Sequence, residues 1–134
     1  MIRRVAFLVF TTVAAVAAGA APAARTPRAL APAQPGAWEV SKSADGRNPV
    51  RVCVAELASL AQWEHRGGSC TRVVISDSGT RTVIHYTCAD GGFGRSDMTL
   101  LTPRTLRIET QGISGGYPFA YTLHARRVAA CAAR

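Results

Sequence analysis

Apolar and polar residues alternate along most of the chain beyond residue 36, and the alternation breaks once. Residues 37–43 (AWEVSKS) place Trp38 and Val40 on one side of an extended chain and Glu39 and Ser41 on the other. That is the pattern of a half-buried strand. Asp45-Gly46 is a turn signal. Residues 49–54 (PVRVCV) predict a second strand, with Pro49 at its start, where proline is tolerated.

The period then changes. In residues 55–65 (AELASLAQWEH), Leu57, Leu60 and Ala61, with Trp63 or Glu64, recur at three- and four-residue intervals. The run is rich in good helix formers. It predicts one short α-helix over 55–65, stopped by Gly67-Gly68.

From Cys70 the period returns to two. Strands are predicted over 71–76, 80–88, 95–102, 105–110 and 117–128. The turns between them are Asp77-Ser78-Gly79, residues 89–94, Pro103-Arg104 and residues 112–116. Thr82, Ile84, Tyr86 and Cys88 share one face. Leu106 and Ile108 point inward, as do Met98 and Leu100, and Phe119, Tyr121 and Leu123 align opposite Thr122, His124 and Arg126. About seven strands at roughly 8–12-residue spacing predict a mainly β fold: an antiparallel sheet, or a small barrel or sandwich, with one short helix. One-sided alternation fits a sheet with one face buried and one wet.

The N-terminal third is organised differently. Residues 1–23 contain Arg3 and Arg4, an uncharged apolar run from Val5 to Ala18, and the small-residue triplets Ala18-Gly19-Ala20 and Ala21-Pro22-Ala23. These three parts predict a cleavable secretory signal peptide. The strongly apolar residues end at Val16, short of the roughly 20 that a spanning helix needs. The first cysteine is Cys53, so no cysteine stands near the cleavage region to carry a lipid. The expected product is periplasmic or secreted, without stable membrane insertion. Residues 24–34 are Ala/Pro-rich and predict a flexible linker. Residues 35–134 form the expected single domain.

Charge changes this picture little. The whole chain carries +8. From residue 37 onward, 12 cations against 8 carboxylates leave +4. The arginines are dispersed, with no basic run interleaved with aromatics, so a nucleic-acid partner is not expected.

Cys53, Cys70, Cys88 and Cys131 contain no C-x-x-C pair, which argues against a zinc ribbon or a thioredoxin-type redox motif. An even count in an oxidising compartment predicts two structural disulfides. Three pairings are possible. The expected one joins Cys53 to Cys70, clipping the helix to the following strand, and Cys88 to Cys131, tying a central strand to the C-terminal tail.

The motif Pro35-Gly36-Ala37-Trp38-Glu39, the Val52-Cys53-Val54 run leading into a helix, and the spacing of the four cysteines resemble a family of small exported bacterial proteins, domain of unknown function 3617. The resemblance covers residues 35–131 and marks Pro35, Gly36, Trp38 and Glu39 as its motif. The chain departs from the family pattern at three places. Ala37 stands where leucine is usual, Val54-Ala55-Glu56 replaces Thr-Pro-Glu, and Ala130 replaces the glycine before the last cysteine. The resemblance implies a fold but no activity.

Chemical candidates are few. His85 and His124 occupy polar-facing strand positions and could meet across a sheet, but neither they nor His65 has a third ligand at metal spacing. No metal site and no cofactor are expected. Gly91-Gly92-Phe93-Gly94 lacks the strand–loop–helix context of a phosphate cradle and predicts a hairpin turn. No G-x-S-x-G elbow or paired-carboxylate dyad is present, so no catalytic residue is assigned. Trp38, Trp63, Phe93, Tyr117, Phe119 and Tyr121 are expected to fill the core rather than line a ligand cavity. The function expected is a non-enzymatic binding or interaction module for a protein or small-molecule ligand. One alternative is a secreted inhibitor of a lysozyme-like enzyme, because Tyr86-x-Cys88 before a Gly turn is similar to such inhibitors. The other is a hydrolase with a cryptic site.

Overall fold

The computed structural model describes residues 12–15 and 26–132. The signal-peptide assignment for 1–23 lies outside the described residues except at 12–15. Seven strands form one antiparallel sheet: β1 (Gly36–Ser41), β2 (Val50–Val54), β3 (Cys70–Ser78), β4 (Arg81–Cys88), β5 (Phe93–Thr102), β6 (Thr105–Ser114) and β7 (Tyr117–Ala129). Their order is β2-β1-β7-β6-β5-β4-β3. The order ends at β2 and β3, so the sheet is open and not a closed barrel.

Rows of paired residues cross the inner face. Thr82, Met98, Ile108 and Leu123 form one row. Ile84, Ser96, Thr110 and Tyr121 form the next, and Tyr86, Gly94, Gly112 and Phe119 a third. The opposite face carries Arg81, Asp97, Arg107 and Glu109 in the wet positions, as the alternation predicts. The Gly115-Gly116 turn has positive φ at both residues, the geometry that lets a two-residue hairpin follow the twist of its strands.

The segment over the inner face is not an α-helix. Leu57–His65 is a 3-10 helix with non-helical angles at Gln62. The physical reason lies in its burial. Leu57, Leu60 and Trp63, spaced by three, are all buried against the sheet, and i, i+3 residues align on a three-residue turn. Gln62 holds the kink: its amide donates to the carbonyls of His65 and Gly68 and its oxygen accepts from Arg72. Ser96, buried on β5, donates to the Ala61 carbonyl and bonds the Thr110 hydroxyl at 2.8 Å. This polar pin fastens the segment to the sheet.

The expected flexible linker is also corrected. Within 24–34, Arg28–Leu30 forms a 3-10 turn whose Ala29 and Leu30 are buried, and Leu30 joins the core of Trp38, Ile84, Met98 and Ile108. Its first N–H groups bond Asp77, and Gln34 donates to Pro103 at 3.1 Å. The prolines that exclude an α-helix here shape a strap that crosses from β3 to the β5–β6 turn.

The disulfides are Cys53–Cys131 and Cys70–Cys88, not the expected Cys53–Cys70 and Cys88–Cys131. Register decides this. Cys70 and Cys88 lie directly opposite each other on β3 and β4. Cys53 faces Ala37 on β1, and Ala37 in turn faces Ala129 on β7. That brings the C-terminal tail to the β2 edge.

Candidate functional site

The end of the 3-10 segment, Trp63 to Arg66, faces the inner side of β7 and the loop between β1 and β2. A cleft of about 710 Å³ opens there, lined by Val40, Lys42, Trp63, Glu64, Arg66 and Tyr121 among others. Trp63 reaches it because the three-residue turn that buries Leu57 and Leu60 carries the indole to the same side. Tyr121 reaches it as the inward residue between Phe119 and Leu123.

Two cations line this cleft against aromatic rings. The Lys42 ammonium lies 4.2 Å from the Tyr121 ring centre and the Arg66 guanidinium 4.3 Å from that of Trp63. Among the described residues, the ion pairs are Arg47–Asp45, Arg72–Glu56, Arg81–Asp97 and Arg126–Glu39, so Lys42 and Arg66 are left without a carboxylate. Glu64 accepts a 2.5 Å hydrogen bond from the Tyr121 hydroxyl. Burial, and then that bond to Glu64, push the Tyr121 hydroxyl well above the ordinary phenol range.

Aromatic contacts continue from the cleft into the protein. Phe119 stands between Tyr121 and His65, with ring centres 5.7 and 6.0 Å away. His65 is buried, and its Nδ1 lies 3.0 Å from the Tyr86 hydroxyl. Burial, reinforced by the charge of Glu64, pushes the Tyr86 hydroxyl up to about 12. The hydroxyl therefore keeps its own proton at neutral pH. The other imidazole nitrogen, Nε2, is buried with no hydrogen-bond partner. A Cβ built on Gly92 would stand 2.2 Å from that nitrogen and 3.1 Å from the Asp90 carboxylate, and one on Gly94 would stand 2.6 Å from the Tyr86 hydroxyl. Gly92 and Gly94 thus serve close approach to side chains, whereas Gly91 meets nothing within 4 Å and serves the turn through its φ of +89°. The turn itself occupies 89–92, with Phe93 and Gly94 already in β5.

The histidine pair considered from sequence does not form. His85 pairs with Arg95 on β5, while His124 pairs with Arg107 on β6 and Ser41 on β1. Two whole strands separate them. His65 is the histidine with unusual surroundings, and nothing in the local pattern singles it out. Its neighbours come from β4 and the β4–β5 turn, more than 20 residues away.

Of the aromatic residues expected in the core, Trp38 and Trp63 are buried. Phe93 and Tyr117 are not: they are 42% and 77% exposed. Phe93 pairs with Thr87 and Ile113 in a row that faces outward. There it borders a shallower depression of about 610 Å³ with His85, Ile113 and Pro118. Tyr117 follows the Gly115-Gly116 turn, beyond the reach of the core. Tyr86 is fully buried, so it offers no contact to an enzyme partner.

The motif residues have physical roles at the other end of β1. Gly36 has φ +149°, and a Cβ there would stand 2.6 Å from the Ala129 carbonyl. The Pro35 carbonyl accepts from Arg127, Trp38 fills the core and donates to Gln34, and Glu39 pairs with Arg126. The family model described as protein of unknown function (DUF3617) matches residues 33–131. The chain belongs to this family. The DUF3617 match spans all seven strands and leaves the Arg28–Leu30 turn outside it. No curated protein and no solved structure matches the chain.

Proposed function

We propose that this DUF3617 protein is a non-enzymatic, exported binding module, periplasmic or secreted, that takes a small organic anion in the cleft beside Trp63 and Tyr121. One observation carries the reading: Lys42 and Arg66 face a cleft of about 710 Å³, each set on an aromatic ring and, among the described residues, neither ion-paired with a carboxylate. Both cations are exposed, and a ring face beneath each holds it in place with a modest attraction. A carboxylate or phosphate on a flat or apolar body would supply the missing counter-charge and the apolar contact together. Glu64 also lines the cleft, but it accepts from the Tyr121 hydroxyl and forms no ion pair with Lys42 or Arg66.

Export is supported by the N-terminal charge and hydropathy pattern and by the pairing of all four cysteines. No helix among the described residues is long and apolar enough to cross a membrane. The buried hydroxyls of Ser96 and Thr110 are engaged in holding the 3-10 segment. This favours a binding role over a hydrolase. The test is a thermal-shift and calorimetric screen of aromatic carboxylates, sugar acids and organic phosphates with their neutral analogues. A ligand at about 100 times its Kd adds about 2.7 kcal/mol. Stabilisation by anions only, lost in Lys42→Ala/Arg66→Ala, is the expected result. A flat response to every anion rejects the reading.

A further inference from the structure

His65, Cys88 and Asp90 offer one ligand atom each, and those atoms lie within 4.8 Å of one another. Zinc bonds of about 2.0–2.3 Å imply ligand–ligand spacings of roughly 3.3–3.8 Å; Asp90 is exposed and its Oδ1 accepts the Gly92 N–H at 2.9 Å, which leaves its second oxygen to close that gap. The His65 Nε2 atom is buried and unpartnered, and it points at the space where Gly92 has no Cβ. Its other nitrogen is held by the Tyr86 hydroxyl at 3.0 Å. With the proton on Nδ1, His65 donates to Tyr86 and keeps the Nε2 lone pair free. This is how metal-binding histidines are commonly oriented, by a partner on the second nitrogen. The oxidised site lacks thiolate ligands, because Cys88 is bonded to Cys70.

We propose that reduction of the Cys70–Cys88 disulfide creates a transition-metal site, of the zinc type, with His65, Cys70, Cys88 and Asp90 as ligands. The step balances simply. A dithiol donor supplies two electrons and two protons, the S–S bond breaks into two thiols, and the donor becomes a disulfide. Metal binding then displaces the two thiol protons, since only thiolates coordinate. The ladder keeps the ligands together after the bond opens. Cys70 and Cys88 are directly paired, Arg72 pairs with Tyr86 beside them, and the Ala89 N–H donates to Ser69 at 2.9 Å. Both cysteines are half-buried, so a small thiol reaches them. Among intracellular and exported proteins alike, cysteine pairs with histidine and carboxylate neighbours suit zinc and its tetrahedral relatives. The site shares no residue with the lining of the anion cleft, although His65 lies between Glu64 and Arg66.

The test uses Co²⁺ as probe and Zn²⁺ as competitor on the purified protein, and on Cys53→Ser/Cys131→Ser, which removes the other thiol pair. After reduction, both bind one equivalent of Co²⁺ with thiolate-to-metal charge-transfer absorption, which Zn²⁺ displaces. Without reduction neither shows it. Asp90→Ala and Tyr86→Phe each weaken binding about tenfold or more, with the Tyr86 variant testing positioning of His65 rather than ligation. Cys70→Ser/Cys88→Ser abolishes the absorption even when Cys53 and Cys131 are reduced. Equal binding by that last variant overturns the proposal. So does a folded, reduced protein that binds no cobalt, and so does unfolding on reduction that cobalt does not reverse.

Discussion

Asp77, at the end of β3, caps the turn that begins at Arg28: its carboxylate accepts the Arg28 N–H at 2.7 Å and the Ala29 N–H at 2.9 Å. These two donors belong to a segment that composition marks as linker, and the cap seats Leu30 in the core. Removing a cap of this kind costs about 1–2 kcal/mol, and truncating a buried leucine about 2–5 kcal/mol. Urea unfolding should therefore show Asp77→Ala moderately destabilised and Leu30→Ala severely so. Trypsin should cut after Arg28 faster in Asp77→Ala. Unchanged midpoints in both variants would show that the strap unfolds independently of the sheet.

Gly112 lies against Gly94 across β5 and β6, and a Cβ there would stand 2.1 Å from the Phe93 carbonyl oxygen. Backbone cannot rotate out of the way as a side chain can. Gly112→Ala is expected to cost at least the roughly 1–3 kcal/mol typical of overpacking. Gly67→Ala is the control: a Cβ there meets nothing within 4 Å. Calorimetric melting of the two variants should separate them clearly.

Peptide mapping without reduction should recover Cys53 linked to Cys131 and Cys70 linked to Cys88. The loops span 78 and 18 residues, so chain entropy assigns about 4.5 kcal/mol to the first and about 3 kcal/mol to the second. Replacing Cys53 and Cys131 by serine should thus lower the unfolding midpoint more than replacing Cys70 and Cys88. The opposite ranking would mean that the short cross-strand link carries more than loop closure.

Alkaline pH should loosen the fold through Tyr86. Its hydroxyl ionises at about 12 in the folded protein and near 10 when unfolded. The unfolded chain therefore loses its proton first. The stabilisation is complete below about pH 10 and disappears as pH rises through about 12. Melting temperature followed from pH 9 to 12 should fall through that window, and Tyr86→Phe should fall less steeply. Equal slopes would place the alkaline transition elsewhere, with Tyr121 the next candidate.

Ser96 donates to the Ala61 carbonyl and bonds Thr110, all three groups being buried. Ser96→Ala leaves that carbonyl and a hydroxyl short of partners, at about 1–3 kcal/mol for each buried unsatisfied group. Hydrogen exchange should then accelerate first in Leu57–His65. A variant as stable as the wild type would remove the polar pin from the account of how the segment is held.

Much of this architecture is legible along the chain because a strand reports its own two faces locally. Trp38 with Val40, Leu106 with Ile108, and the Thr82–Ile84–Tyr86 set all lie inward as their alternation says. The seven strands and their antiparallel pairing follow from the same signal and from glycine-rich turns. Helix type was less legible. Leu57, Leu60 and Trp63 fit either a 3.6- or a 3.0-residue turn, and the choice fell to the sheet that buries them. The cleft was not legible at all, since Lys42, Trp63 and Tyr121 come from three elements far apart in the chain.

Sequence alone thus determined the strands, the inward faces, the family and the presence of two bridges, because these depend on neighbours within a few residues or on simple counts. The tertiary structure decided what depends on register and strand order. It paired Cys53 with Cys131 by bringing β7 beside β1, drew Leu30 out of an apparent linker into the core, and set His65 against Tyr86 and Gly92. Those contacts join residues separated by 20 to nearly 80 positions. Their energies arise only once the sheet has ordered, so no local pattern records them.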